Sequence, residues 1–104
     1  MNTSSDDKSS SLVLRVLNVL EVLTGFAAIG ASNKDLADAL RTTPSHITRA
    51  VQCLIAKGWA RKSEENGRFY PTAAFTRLSF RVQADFDRAQ DRLADTRRAM
   101  TSEH

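Results

Sequence analysis

Arg41-Thr42-Thr43-Pro44-Ser45-His46-Ile47-Thr48-Arg49-Ala50-Val51-Gln52-Cys53-Leu54-Ile55-Ala56-Lys57-Gly58 is the segment around which the rest of the chain is organised. Taken as a helix, it puts Ile47, Ala50, Val51 and Leu54 at the i, i+3, i+4, i+7 spacing of one buried face. The opposite face then carries Ser45, Arg49, Gln52 and Ala56, with His46, Thr48 and Cys53 on its flanks. This outer face is small, polar and hydrogen-bonding, with one guanidinium and no acid. No carboxylate occurs between Asp38 and Glu64, whereas a solvated helix ordinarily mixes Lys with Glu. Thr42 or Thr43 can cap the N-terminus, with Pro44 in the first turn where its missing N–H costs nothing. Gly58 suits the left-handed residue that ends a helix. A short, acid-free helix with reader side chains near its N-terminal end suits a DNA major groove. An ordinary amphipathic helix is the competing reading from this segment alone.

Just upstream, Ser32-Asn33-Lys34-Asp35 reads as a capping box with Asp in place of the usual Glu. It opens a short helix, Asn33 to Leu40, buried through Leu36, Ala37 and Leu40. Arg41 to Thr43 is a tight link, and two short helices so joined form a helix-turn-helix. Downstream the period changes. Trp59-Ala-Arg-Lys-Ser63 and Arg68-Phe-Tyr-Pro71 are short extended runs around Glu64-Glu65-Asn66-Gly67, whose Asn-Gly tolerates positive φ. A basic hairpin in this position is a wing, and Arg61, Lys62 and Arg68 are its candidate phosphate contacts. Glu64 and Glu65 at the tip weigh against that role. Trp59, Phe69 and Tyr70 read more simply as core under the hairpin than as base-stacking platforms.

The outer elements are long helices. Residues 1–11 lack apolar residues after Met1 and are expected to be a disordered lead. Ser10 or Ser11 then caps a helix from Leu12 to about Thr24, stopped by Gly25. Nine of the twelve residues from Leu12 to Leu23 are Leu or Val, so this helix should bury more than one face. Its second face calls for a dimer partner or, equally, for the C-terminal helix of the same chain. Phe26 to Ala31 is a loop with room for a two- or three-residue strand near Ile29. Thr72 caps a last helix, Ala73 to about Arg98, with Thr101 to His104 frayed. Phe75, Val82, Ala89 and Thr96 interleave with Ser79, Phe86, Leu93 and Met100 as a heptad seam, though a poor one. In a parallel pair Arg92 would face Arg97 of the partner, so interleaved pairs such as Asp85–Arg88 and Asp95–Arg98 read as contacts within one helix. The first half should pack on the Leu12–Leu23 helix, within the chain or across a dimer.

At 104 residues the chain has room for one core and no second domain. Its formal net charge is +3, unevenly spread. Residues 41–77 hold seven basic residues against Glu64 and Glu65, giving +5, while residues 1–40 hold three against five acids, giving −2. The remainder is balanced. Positive charge concentrated around the reader favours a polyanionic partner. The single cysteine, Cys53, allows no intrachain disulfide and fits a reducing, cytoplasmic setting; it reads as a small filler at the reader's edge. The apolar run from Leu12 has an acidic flank and polar interruptions, so it is neither a secretory signal nor a membrane span. His46 and His104 are the only histidines. There is no metal-ligand spacing and no phosphate-cradling glycine loop, so neither an enzyme, a metal nor a cofactor is expected. Asp87, Asp91 and Asp95 interleave with arginines as a solvated face.

The order helix, helix-turn-helix, basic hairpin, helix is that of a winged helix-turn-helix, mainly α with a small β-hairpin. The residues resemble the N-terminal DNA-binding domain of IclR-type transcriptional regulators, and MarR-like winged helices look similar over the same stretch. The resemblance rests on Val16-Leu17-Asn18-Val19-Leu20-Glu21, Lys34-Asp35-Leu36-Ala37, Ile47-Thr48-Arg49-Ala50-Val51, and Leu54-x-x-x-Gly58-Trp59 to Gly67-Arg68-Phe69-Tyr70. It covers residues 12–77 and implies DNA-facing positions at Thr48 and Arg49. The family continues into a ligand-sensing domain that this chain lacks, so no small-molecule effector is expected. The family's proline at the head of the third helix aligns with Thr43, one place before Pro44.

The sequence thus predicts a winged helix-turn-helix over 12–77 and a C-terminal helix and tail over 78–104. The predicted function is that of a cytoplasmic or nucleoid-associated transcriptional regulator that binds double-stranded DNA through the third helix and basic wing, as a homodimer joined by the Leu12–Leu23 and Phe75–Phe86 helices. Arg49 is the candidate for bidentate contact with guanine, worth roughly 1–3 kcal/mol of discrimination. Thr43, Ser45, His46, Thr48 and Gln52 supply further contacts, and Lys34, Arg61, Lys62 and Arg68 hold phosphates. About five neutralised phosphates would give a log–log salt slope near −4.5. The rival is a winged-helix adaptor or inhibitor that docks proteins and does not bind DNA.

Overall fold

The computed structural model describes residues 4–102, with side chains from residue 11 onward. Its elements run α1 (Ser4–Thr24), α2 (Asn33–Leu40), α3 (Pro44–Lys57), β1 (Ala60–Lys62), β2 (Phe69–Pro71) and α4 (Ala73–Thr101). The fold is a winged helix-turn-helix.

The two short central helices, α2 and α3, are bounded by their own caps. Ser32 caps α2 by accepting from the Asp35 N–H at 3.0 Å, and the Asp35 carboxylate accepts from the Ser32 N–H at 3.0 Å. This is the reciprocal box, closed by the shorter acid. Thr43 caps α3 by accepting from the His46 N–H, with Pro44 in the first turn. Gly58 ends α3 in the left-handed conformation, φ 85°. Its N–H reaches the Ile55 carbonyl and the Trp59 N–H reaches that of Leu54, the paired bonds of a Schellman ending. The same pair of bonds closes α2, from Arg41 to Asp38 and from Thr42 to Ala37. There the left-handed residue is Arg41, φ 53°, the one non-glycine residue with positive φ among those described. A side chain at such a position costs about 1–2 kcal/mol, and the tight link into α3 requires it.

The core lies where α1, α2 and α3 converge over the hairpin. Leu23, Leu36, Ile47, Leu54, Val19 and Val51 are its largest fully buried side chains. All four apolar positions read from the α3 periodicity are buried, as are Leu36 and Ala37 of α2, with Leu40 half-buried. β1 and β2 pair antiparallel with Arg61 opposite Tyr70. The strand expected near Ile29 is reduced to a single bridge, in which Ala31 exchanges both backbone bonds with Phe69 at 2.8 and 2.9 Å. Phe69 is buried, Trp59 and Tyr70 are half-buried, and Trp59 packs against Phe75 at the start of α4.

Two expectations at the ends are corrected. α1 begins at Ser4, eight residues before Leu12, with no cap at Ser10 or Ser11. Once the Leu/Val run has nucleated a helix, each added residue gains one hydrogen bond at little cost. Polarity in the lead therefore did not stop it, and residues 1–3 lie outside the described part. α4 continues to Thr101, past Arg98, with Ser102 as its cap; residues 103–104 again lie outside.

α4 also does not cover α1 within the chain. Val13, Leu14 and Leu17 remain more than half exposed, while Val19, Leu20 and Leu23 fill the core. Beyond Phe75 and the half-buried Leu78, α4 projects from the domain. Its Val82, Phe86, Leu93 and Met100 are 59–66% exposed. The radius of gyration, 20.3 Å, far exceeds the roughly 13 Å of a compact chain this long.

Candidate nucleic-acid interface

The outer face of α3 is free. Ser45, His46, Thr48, Arg49, Gln52 and Cys53 are all exposed. No carboxylate lies within ion-pair distance of Arg49 among the described residues. An unpaired guanidinium on a convex helix, clear of its own protein's acids, has its fork available to a planar acceptor pair.

Around that face the other predicted contacts divide into free and engaged groups. Thr43 is committed as the N-cap. His46 Nδ1 lies 2.8 Å from the Thr42 hydroxyl, which fixes the ring beside the start of the helix. The Thr48 hydroxyl donates to the Pro44 carbonyl at 3.0 Å and accepts from the Asn33 amide at 3.1 Å. That amide also reaches the Pro44 carbonyl at 3.3 Å, so Asn33 of α2 braces the first turns of α3. Thr48, a DNA-facing position by resemblance, thus also helps set the angle between the two helices. Of the two candidate caps Thr43 takes the role and Thr42 holds the His46 ring instead; Asn33 is not marked by the sequence as a partner of α3, because its contacts depend on how the turn is closed.

The hairpin presents Arg61 and Lys62 on its exposed surface. The Arg61 guanidinium sits 4.5 Å from the Tyr70 ring centroid, and the Lys62 ammonium 5.9 Å from that of Phe69. Such stacking positions a cation without neutralising it. Arg68 behaves otherwise. It is expected among the phosphate contacts, yet its guanidinium turns inward, donating to the Gly30 carbonyl at 3.1 Å and lying 3.6 Å from the Asp35 carboxylate. The position that would support a backbone contact instead pins the wing to the loop before α2. On α2, Lys34 is exposed and pairs with Asp38 at 2.6 Å. That hydrogen bond raises the Lys34 pKa above its ordinary value, so the ammonium stays charged. The Asp35 carboxyl is held below the usual carboxylate range, chiefly by the Ser32 backbone and hydroxyl bonds, with Arg68 adding to the effect.

The wing turn is ordered by its own side chains. Ser63 Oγ accepts from the Glu65 N–H, Asn66 Oδ1 from the Arg68 N–H, and Gly67 takes φ 70°. Asn66 also donates to the Tyr70 hydroxyl, which in turn donates to the Ile29 carbonyl. Glu64 and Glu65 remain exposed at the tip. No group of three or more His, Cys, Asp or Glu side chains suited to a metal occurs among the described residues. No helix among them is long and apolar enough to cross a membrane.

No protein-family model and no curated protein matches the chain. Among solved structures, the crystal structure of a MarR family transcription regulator is similar over 86% of this chain and 68% of that one, at 18% identity and a TM-score of 0.46. The IclR resemblance of the sequence finds no counterpart in these comparisons.

Proposed function

We propose that this protein is a sequence-selective binder of double-stranded DNA that acts in transcriptional regulation as a homodimer. The observation that carries the reading is the outer face of α3: Ser45, Arg49 and Gln52 exposed together, with no carboxylate of the described residues among or beside them. In the major groove, Arg49 takes the O6 and N7 edge of a guanine, and Ser45 and Gln52 contact neighbouring bases. Thr43, His46 and Thr48 lie at the start and edge of the helix, where phosphate contacts fall. Lys34, Arg61 and Lys62 sit on either side as further phosphate contacts. With Arg68 engaged inside the fold, these three cations neutralise about three phosphates per domain, which gives a log–log salt slope near −2.7 per domain. One module makes few base contacts, so useful affinity requires two on paired half-sites. The bare apolar faces of α1 and α4 supply the surface for that pairing.

The test is a mobility-shift titration on duplexes selected from a random pool, over a range of salt, with Arg49→Ala in parallel. Arg49→Ala should lower affinity for the selected site by roughly 5- to 150-fold and narrow the gap to random duplex. No duplex binding at low salt, or full binding by Arg49→Ala, would overturn the reading in favour of a protein-docking winged helix.

A further inference from the structure

We propose that two copies of the chain join through α4 as an antiparallel coiled coil in one register, centred between Asp87 and Arg88. This inference deepens the dimer reading above and rests on it. The seam residues Val82, Phe86, Leu93 and Met100 are 59–66% exposed, on a helix whose outer half stands clear of the other described elements of its own chain. A parallel pairing puts Arg92 against Arg97 of the second copy. An antiparallel pairing about that centre changes each layer. Phe86 meets Ala89 of the other copy, large against small. Val82 meets Leu93, and the seam's two polar members, Ser79 and Thr96, meet each other. The flanks agree: Asp85 lies beside Arg92 of the second copy, twice by symmetry, and Gln83 beside Gln90. Asp85 already has Arg88 at 3.4 Å on its own helix, so each carboxylate would sit between two guanidinium groups.

Shifting the register by one heptad either way destroys this match. One shift brings Asp85 against Asp85, the other Arg92 against Arg92. Like charges across a two-fold axis select against both, the flanking-position logic by which coiled coils choose partner and orientation. A second observation meets the register at its ends. An apolar groove of about 580 Å³ runs beside the root of α4, between Thr24, Ala27, Pro71, Phe75, Leu78 and Val82. The proposed register lays the Thr96–Met100 end of the second copy along it, with Met100 opposite Phe75. The two Phe75 positions then stand about 37 Å apart along the rod at 1.5 Å per residue.

Analytical ultracentrifugation of the full chain without DNA provides the first test. Asp85→Arg alone and Arg92→Asp alone should each raise the dimer dissociation constant by about tenfold or more, and the double exchange should restore it. Spin labels in a Cys53→Ser background provide the second. A label at position 101 should report about 40 Å between copies, and one at position 88 under roughly 20 Å. A chain monomeric at all concentrations would sink both this inference and the dimer reading. A dimer indifferent to the charge exchanges, or one with short distances at both positions, would overturn the antiparallel rod alone. Neither measurement involves DNA, so either result stands apart from the outcome for Arg49.

Discussion

Gly30 should be the least replaceable glycine in the chain, and the structure gives the size of the effect. It is buried at φ 80°, and a Cβ there would sit 2.6 Å from Tyr70 Cζ and 2.8 Å from Arg68 Cβ. Gly58 has nearly the same backbone, φ 85°, but a Cβ there would meet nothing within 4 Å. Alanine at either position costs about 1–2 kcal/mol for the left-handed conformation. At Gly30 it must also push the Tyr70 ring aside, an overpacking cost of about 1–3 kcal/mol. Displacing the ring strains the hydroxyl's bond to the Ile29 carbonyl, 3.2 Å long, a net loss of about 1 kcal/mol. Gly30→Ala should therefore be about 2–4 kcal/mol worse than Gly58→Ala. In a domain of this size each kcal/mol moves Tm by about 4–8 °C, so the two variants should melt at least about 8 °C apart. Thermal unfolding followed by far-UV circular dichroism measures this directly. If the two variants melted within a few degrees of each other, the close approach of wing and loop at Gly30 would not be what holds the hairpin in place.

Arg61→Ala and Lys62→Ala should each lower the salt slope of DNA binding by about 0.9, with at most a small fall in Tm from the lost stacking on Tyr70 and Phe69. Arg68→Ala should do the opposite, leaving the slope and lowering stability by about 1 kcal/mol through the lost bond to Gly30; salt titration and urea unfolding separate the two. Because the folded pKa of Asp35 lies below its unfolded value, its contribution is complete above the unfolded pKa and is lost as pH falls through the folded one. Stability should decline in acid below about pH 4, and Asp35→Asn should flatten that limb while lowering stability at neutral pH.

The sequence was most informative where local chemistry alone fixes the backbone. Ser32 with Asp35, Thr43 with Pro44, Gly58, and the spacing of Ile47, Ala50, Val51 and Leu54 need no distant partner, and each predicts its place in the fold. Reading was poorer where a residue's role depends on something remote in the chain. Arg68 looks like a surface cation in any window of sequence, and only the return of the Gly30 loop, 38 positions away, turns it inward. Thr48 shows a helix-surface pattern, but its hydroxyl is shared with Asn33 across the turn. The start of α1 was missed because propagation from a strong apolar run outweighs polar composition. The missing contact of α4 with α1 could not be foreseen, since an amphipathic helix reads alike whether its cover comes from its own chain or another.

The Asn33 brace has a further consequence. Its amide ties α2 to both Pro44 and Thr48, which stiffens the proposed reading helix against its support. Such a brace would limit how far local adjustment could adapt the protein to a mis-spaced site. In the proposed dimer, one extra base pair between half-sites would turn the second module by about a tenth of a revolution, and twisting of the α4 rod would have to absorb it. Tolerance for operator spacing would thus be a mechanical property of α4, set far from any residue that touches a base.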